Sequence, residues 1–119
     1  MIIVTGSVTD SGGPSGAMWS SKDGRKWKRA KLKAAEGAIV FAIARAGTTV
    51  VATGAGGDGT GLLWTSTDGS PWGTADGPEG VIYGLIASDA GGFVAAGVQD
   101  GAAMAWLSPE GVAWQAAEL

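Results

Sequence analysis

All six tryptophans of this 119-residue chain fall into three pairs, and the members of each pair stand eight residues apart: Trp19/Trp27, Trp64/Trp72 and Trp106/Trp114. The residues between them align. The first stretch is Trp19-Ser20-Ser21-Lys22-Asp23-Gly24-Arg25-Lys26-Trp27. The second runs Trp64-Thr65-Ser66-Thr67-Asp68-Gly69-Ser70-Pro71-Trp72, and the third Trp106-Leu107-Ser108-Pro109-Glu110-Gly111-Val112-Ala113-Trp114. The copies are offset by 45 and 42 residues. A period of that size confines the chain to repeat architectures whose units stack on one another.

The surrounding sequence gives each unit its elements. A β-rich stretch ending in glycine precedes every motif: Ile3-Val4-Thr5-Gly6, Val51-Ala52-Thr53-Gly54 and Val94-Ala95-Ala96-Gly97. A further apolar stretch precedes the second and third of these, Ile39–Ala44 and Val81–Ile86. Glycine turns separate them at Arg45-Ala46-Gly47, Gly56–Gly59, Ser88–Gly92 and Asp100-Gly101. Short strands at about ten-residue spacing read as an antiparallel all-β repeat. The expected strands are 38–45, 49–55, 62–67 and 71–75 in the second unit. In the third they are 81–88, 92–98, 103–108 and 112–117. The first unit offers 2–8, 17–21 and 26–32, with no inner strand before them. Four strands in 40 to 45 residues is the period of a β-propeller blade. The expectation is therefore one domain over 1–119, with units 1–33, 34–76 and 77–119: two complete four-stranded blades and one three-stranded blade.

The Ser-x-Asp-Gly-x-x-Trp core resembles the Asp-box, the bacterial neuraminidase repeat of sialidase-like propellers. The family's usual pattern has one more residue between Asp and Gly, so the turns here are one residue tighter. The third copy departs further, with Pro109 and Glu110. The resemblance implies a structural turn between the two outer strands, on the face opposite the substrate. Local chemistry agrees, because short Asp and Ser side chains bond nearby backbone groups and glycine tolerates positive φ. The tryptophan ring is expected to bury itself under the turn or between blades. Trp19, Ser21, Asp23, Gly24 and Trp27 are thus read as fold-forming. So are Trp64, Ser66, Asp68, Gly69 and Trp72, and Trp106, Ser108, Glu110, Gly111 and Trp114.

Sialidase chemistry, as the resemblance implies it, needs an arginine cluster and a tyrosine paired with a glutamate. The chain has one tyrosine, Tyr83, and three arginines, of which Arg25 and Arg29 lie in or beside the first motif. Its zero count of cysteine and histidine removes the usual zinc and iron sites, disulfides and Cys–His or Ser–His–Asp nucleophiles. Gly54-Ala55-Gly56-Gly57-Asp58-Gly59 matches a dinucleotide fingerprint, but a strand rather than a helix is expected next. No cofactor and no metal are assigned, although Asp58 or Asp100 with loop carbonyls is the one arrangement suited to a hard cation. Asp58, Asp76, Glu79 and Asp100 fall in loops on the expected ligand-facing side, with the loop from Asp10 to Gly16. Phe41 and Tyr83 stand at the channel end of the inner strands, or else pack between blades.

Charge is uneven. Residues 1–33 carry seven basic and two acidic side chains, and residues 34–119 carry Arg45 against nine acids, for a net charge of −3. The basic run from Lys22 to Lys33 reads as a solvated strand rather than a nucleic-acid surface, given the acidic whole. No apolar run reaches membrane-spanning length, and Met1–Gly6 lacks the pattern of a signal peptide. The compartment stays open.

Three units cannot close a ring that needs at least four. The expectation is a non-enzymatic scaffold or binding module that assembles head to tail, a dimer giving six blades, with a small-molecule or glycan ligand unidentified. Alternatives are a segment of a longer propeller, completion by another chain, or a fragment of a sialidase-like glycan-active enzyme.

Overall fold

In the computed structural model, which describes residues 1–10, 12–69 and 71–119, every element is a β-strand. Eleven strands form three antiparallel sheets in chain order. Sheet 1 holds β1 (Ile2–Asp10), β2 (Gly13–Ser21) and β3 (Lys28–Arg29). Sheet 2 holds β4 (Ile39–Ala46), β5 (Thr49–Ala55), β6 (Gly61–Thr67) and β7 (Trp72–Thr74). Sheet 3 holds β8 (Val81–Ala87), β9 (Phe93–Gln99), β10 (Ala102–Ser108) and β11 (Gln115–Ala116). Each is a simple meander, as glycine-rich turns between adjacent strands require.

The strands differ from expectation at their ends. The first hairpin is longer, because β1 and β2 pair from Ile2↔Ser21 to Asp10↔Gly13. Gly13–Gly16 is therefore strand, not ligand-facing loop; Ser11 of that stretch lies outside the described residues. The outermost strands are shorter, two or three residues each. An edge strand that pairs on one side only has little to hold it beyond the few ladder bonds its partner offers.

Sheet 2 is the middle layer, and strand alternation divides its residues between two apolar clusters. Val50, Ala52 and Trp64 point toward sheet 1, where they meet Met18 and Ile3. Val51 and Leu63 point the other way and meet Ile82, Leu85, Phe93 and Trp106. The inner strands run side by side, with β4 against β1 and β8.

One feature of these strands escaped the pattern of alternation. Val40 and Ile43 face the same cluster although they are three apart, and so do Ile82 and Leu85. Period-two alternation would put them on opposite faces. A bulge resolves the conflict in each inner strand, between Val40 and Ala42 and between Ile82 and Gly84. The extra residue is aromatic in both, Phe41 and Tyr83. Bulges re-aim the side chain they carry, and these two rings meet with centroids 5.0 Å apart at 46°.

Candidate functional site

The three motif turns join the second-last to the last strand of each sheet, and their glycines all take positive φ: Gly24 at 77°, Gly69 at 86° and Gly111 at 81°. The hydrogen bonds around them are not alike. In the first turn Ser21 is buried, and its Oγ accepts from the Gly24 N–H at 2.8 Å and the Asp23 N–H at 3.3 Å. The Ser21 hydroxyl donates to Asp23 Oδ1 at 3.2 Å. Asp23 Oδ1 also accepts from the N–H groups of Arg25 at 2.8 Å and Lys26 at 3.0 Å. The Trp27 indole N–H closes the turn onto the Gly24 carbonyl at 3.1 Å. The Lys26 and Arg25 amides hold the Asp23 carboxyl below its ordinary range, against a smaller desolvation effect.

The third turn keeps the serine bond, with Ser108 Oγ accepting from the Gly111 N–H at 2.8 Å. Glu110 is exposed there. Trp114 lies against Phe93, ring centroids 6.4 Å apart. The second turn departs. Asp68 itself takes positive φ, 60°, so Asp68-Gly69 has the left-handed pair of a primed hairpin turn. Its carboxylate pairs with Arg45 at 3.2 Å, and its N–H donates to the Thr48 carbonyl at 2.7 Å. The Ser66 hydroxyl points to the Thr67 carbonyl at 3.4 Å. Ser70 lies outside the described residues.

The tryptophans divide by position. Trp64 and Trp106 are buried between sheets, and the Trp64 indole N–H reaches the Lys33 carbonyl of the preceding unit at 2.7 Å. Trp72 is buried, whereas Trp19 is only partly covered and Trp27 is 42% exposed. The expectation of a buried ring is thus corrected at Trp27. The reason is geometric: each unit turns its tryptophans toward the unit before it, and sheet 1 has none on that side.

The ligand-facing candidates are separate from the turns. Asp58 sits in the β5–β6 connection, where its Oδ1 accepts from the Thr60 N–H at 2.9 Å. That bond lowers its carboxyl pKa. A strand follows this glycine run, so the dinucleotide reading fails on its missing helix. Asp100 forms a two-residue turn with Gly101, both at positive φ. Asp76 and Glu79 lie between β7 and β8, at the same end of the sheets by topology. All four acids are exposed, and no three His, Cys, Asp or Glu cluster among the described residues. Tyr83 is 54% exposed beside Phe41.

A broad concavity lies elsewhere. A shallow groove of about 800 Å³ runs between sheets 2 and 3 on the side of the motif turns, walled by Thr49, Thr65, Thr67, Gly92, Pro109 and Glu110. Sequence reasoning placed ligands at the opposite end. No residue type in this groove carries a signal of its own, since threonine, glycine and proline are also ordinary turn residues. No family model matches this chain, and neither a curated protein nor a solved structure matches it.

Proposed function

We propose that this chain is a segment of a β-propeller acting as a non-enzymatic scaffold or binding module, and that it completes its ring head to tail with a second copy. One observation carries the reading. The two outward faces of the stack repeat the two sides of its internal seams. Ile3, Val51 and Val94 are equivalent in the repeat. Ile3 lies under Gly69, and Val51 under Gly111, where an added Cβ would sit 2.7 and 2.5 Å from them. Val94 belongs to the outward face of sheet 3, and Gly24 has no Ile3 or Val51 counterpart over it. A second copy placed by the same step brings Val94 beneath Gly24.

Exposure agrees with this arrangement. Ile2, Val4 and Trp27 stand uncovered at one end, and Ile86, Val98 and Leu107 at the other. Apolar residues gathered on a sheet face mark an interaction surface. Net charge favours the same partner, because sheet 1 and its flank are basic and the rest is acidic. None of the seven basic residues from Lys22 to Lys33 is in an ion pair among the described residues, where Arg45–Asp68 is the one pair.

Light scattering on a sizing column tests it. The expected mass is twice the 11.8 kDa of the chain, falling at high salt as screened charges lose their pull. Leu107→Asp, on the uncovered face, is expected to give a monomer with an unchanged circular dichroism spectrum. A wild-type monomer overturns the assembly, and turnover of a fluorogenic glycoside panel overturns the non-enzymatic part.

A further inference from the structure

The inner edge of sheet 1 differs from those of its neighbours. In sheets 2 and 3 the strand equivalent to β1 has a partner on each side: β5 lies between β4 and β6, and β9 between β8 and β10. In sheet 1 the order is β1-β2-β3, so among the described residues β1 pairs with β2 alone. It is nine residues long. A strand of that length at an edge offers a row of unpaired N–H and C=O groups, a template for another strand.

The space beside that edge is shaped for one. A groove of about 210 Å³ is lined by Met1, Ile3, Ile43, Ala44, Arg45 and Val50. One wall is β1 and the other is the start of sheet 2. By the repeat, an inner strand of sheet 1 would run here. The pairing of β4 with β5 sets Ile43 beside Ala52 and Ala44 beside Val51. The β1 equivalents of Ala52 and Val51 are Val4, on the uncovered face, and Ile3, which lines the groove. The floor is continuous with the apolar cluster between sheets 1 and 2, to which Ile3, Ile43 and Val50 belong.

We propose that β1 accepts an extended strand from a partner polypeptide, and that the strand is of the inner type seen in β4 and β8. Its pattern is two apolar residues three apart, with an aromatic and then a small residue between them: Val40-Phe41-Ala42-Ile43 and Ile82-Tyr83-Gly84-Leu85. The main chain supplies affinity by ladder bonds, the small residues equivalent to Ala42 and Ala44 face the groove, and the two apolar residues face the uncovered side of sheet 1 beside Val4. The bulge lets both apolar residues lie on the same face of the strand. This inference goes beyond ring completion, because a second copy docked face to face would cover sheet 1 without supplying a strand to its edge.

The probe is a fluorescein-labelled synthetic peptide with the sequence of residues 37–48, added to the full chain. Saturable anisotropy is expected, with hydrogen exchange at the β1 amides slowed about tenfold or more. A scrambled peptide is expected to bind at least about tenfold more weakly. N-methylation of alternate peptide amides is expected to abolish binding for one set and spare it for the other, since only one edge of the peptide faces β1. This blocks the ladder without touching the fold of the protein. Equal binding of the scrambled peptide overturns the proposal, as does binding with no β1 protection, or no binding at all. Protection of the β1 edge that is present before peptide is added, and lost on dilution, would assign the edge to another copy and also overturn it. Mass in solution is read independently, so a monomer that binds the peptide separates this inference from the assembly.

Discussion

The first and second motif turns share Ser-x-Asp-Gly-x-x-Trp and are built differently. In the first, Ser21 and Asp23 gather four backbone N–H groups between them, and the glycine alone leaves the right-handed region. In the second, Asp68 joins Gly69 at positive φ and gives its carboxylate to Arg45. Aspartate tolerates that conformation better than most residues. Part of the difference lies in the motif, where Pro71 stands at the position of Lys26 and has no N–H to give the aspartate. Arg45, at the end of β4, is the one basic residue beyond Lys33 and sits where it can reach the turn. The Asp68 N–H is taken by Thr48 in the same connection. Among the described residues, the shared serine, aspartate and glycine thus make either a side-chain-capped turn or one whose aspartate takes positive φ and pairs with Arg45. The burial of the closing tryptophan differs for a related reason: Trp72 faces sheet 1, and Trp27 faces no sheet of its own chain.

The largest expected contrast is at those tryptophans. Trp72→Ala should cost about 3–5 kcal/mol, the range for emptying a buried large side chain. Trp27→Ala should cost about 1 kcal/mol in the monomer, since its ring is 42% exposed and faces no sheet of its own chain. Urea denaturation of the two variants, at a protein concentration where the chain is monomeric, measures the gap. Similar values would mean that the Trp27 ring packs as its counterpart does.

The serines sharpen the comparison on a smaller scale. Ser21→Ala and Ser108→Ala each remove the acceptor for a glycine N–H, so each should cost about 1 kcal/mol. Ser66→Ala removes, among the described residues, only a long bond to Thr67 and should cost a fraction of that. Denaturation midpoints for the three alanine variants give the order. A Ser66 loss equal to the others would show that the second turn relies on its hydroxyl after all.

The smallest effect is the acid dependence. Backbone amides depress the Asp23 carboxyl, so its folded value lies below its unfolded one. Its contribution to stability is present above the unfolded value, about 4, and is lost as pH falls through the folded value. Asp23→Asn should therefore flatten the lower part of the stability–pH curve while leaving its shape near neutrality. A curve of unchanged slope in thermal melts between pH 5 and pH 2 (roughly the span of carboxylate titration) would sever the carboxylate from the turn.

Much of the fold was legible because it is local. Alternating apolar residues fix which stretches are strands, and glycines at Gly24, Gly69 and Gly111 fix where the chain must reverse. The meander follows from turns too short for a crossover. Asp58, Asp76, Glu79 and Asp100 were legible as loop residues, and the structure leaves them exposed in the connections between strands. The groove between sheets 2 and 3 was not legible, because its lining mixes threonine, glycine and proline with Phe93 and Val112 and comes from four separate connections and the strands beside them.

The sequence by itself determined the number of units, the order of their strands and the three turn glycines, since each rests on neighbours along the chain. Only the tertiary structure decided the rest: which turn bonds through serine and which through Arg45, which tryptophans are covered, and that Phe41 and Tyr83 occupy bulges. Those outcomes depend on groups brought together from different sheets. Val40 and Ile43 must both reach one cluster, and the strand yields a residue at Phe41 to let them. Packing between sheets set that requirement, and no pattern within a single strand contains it.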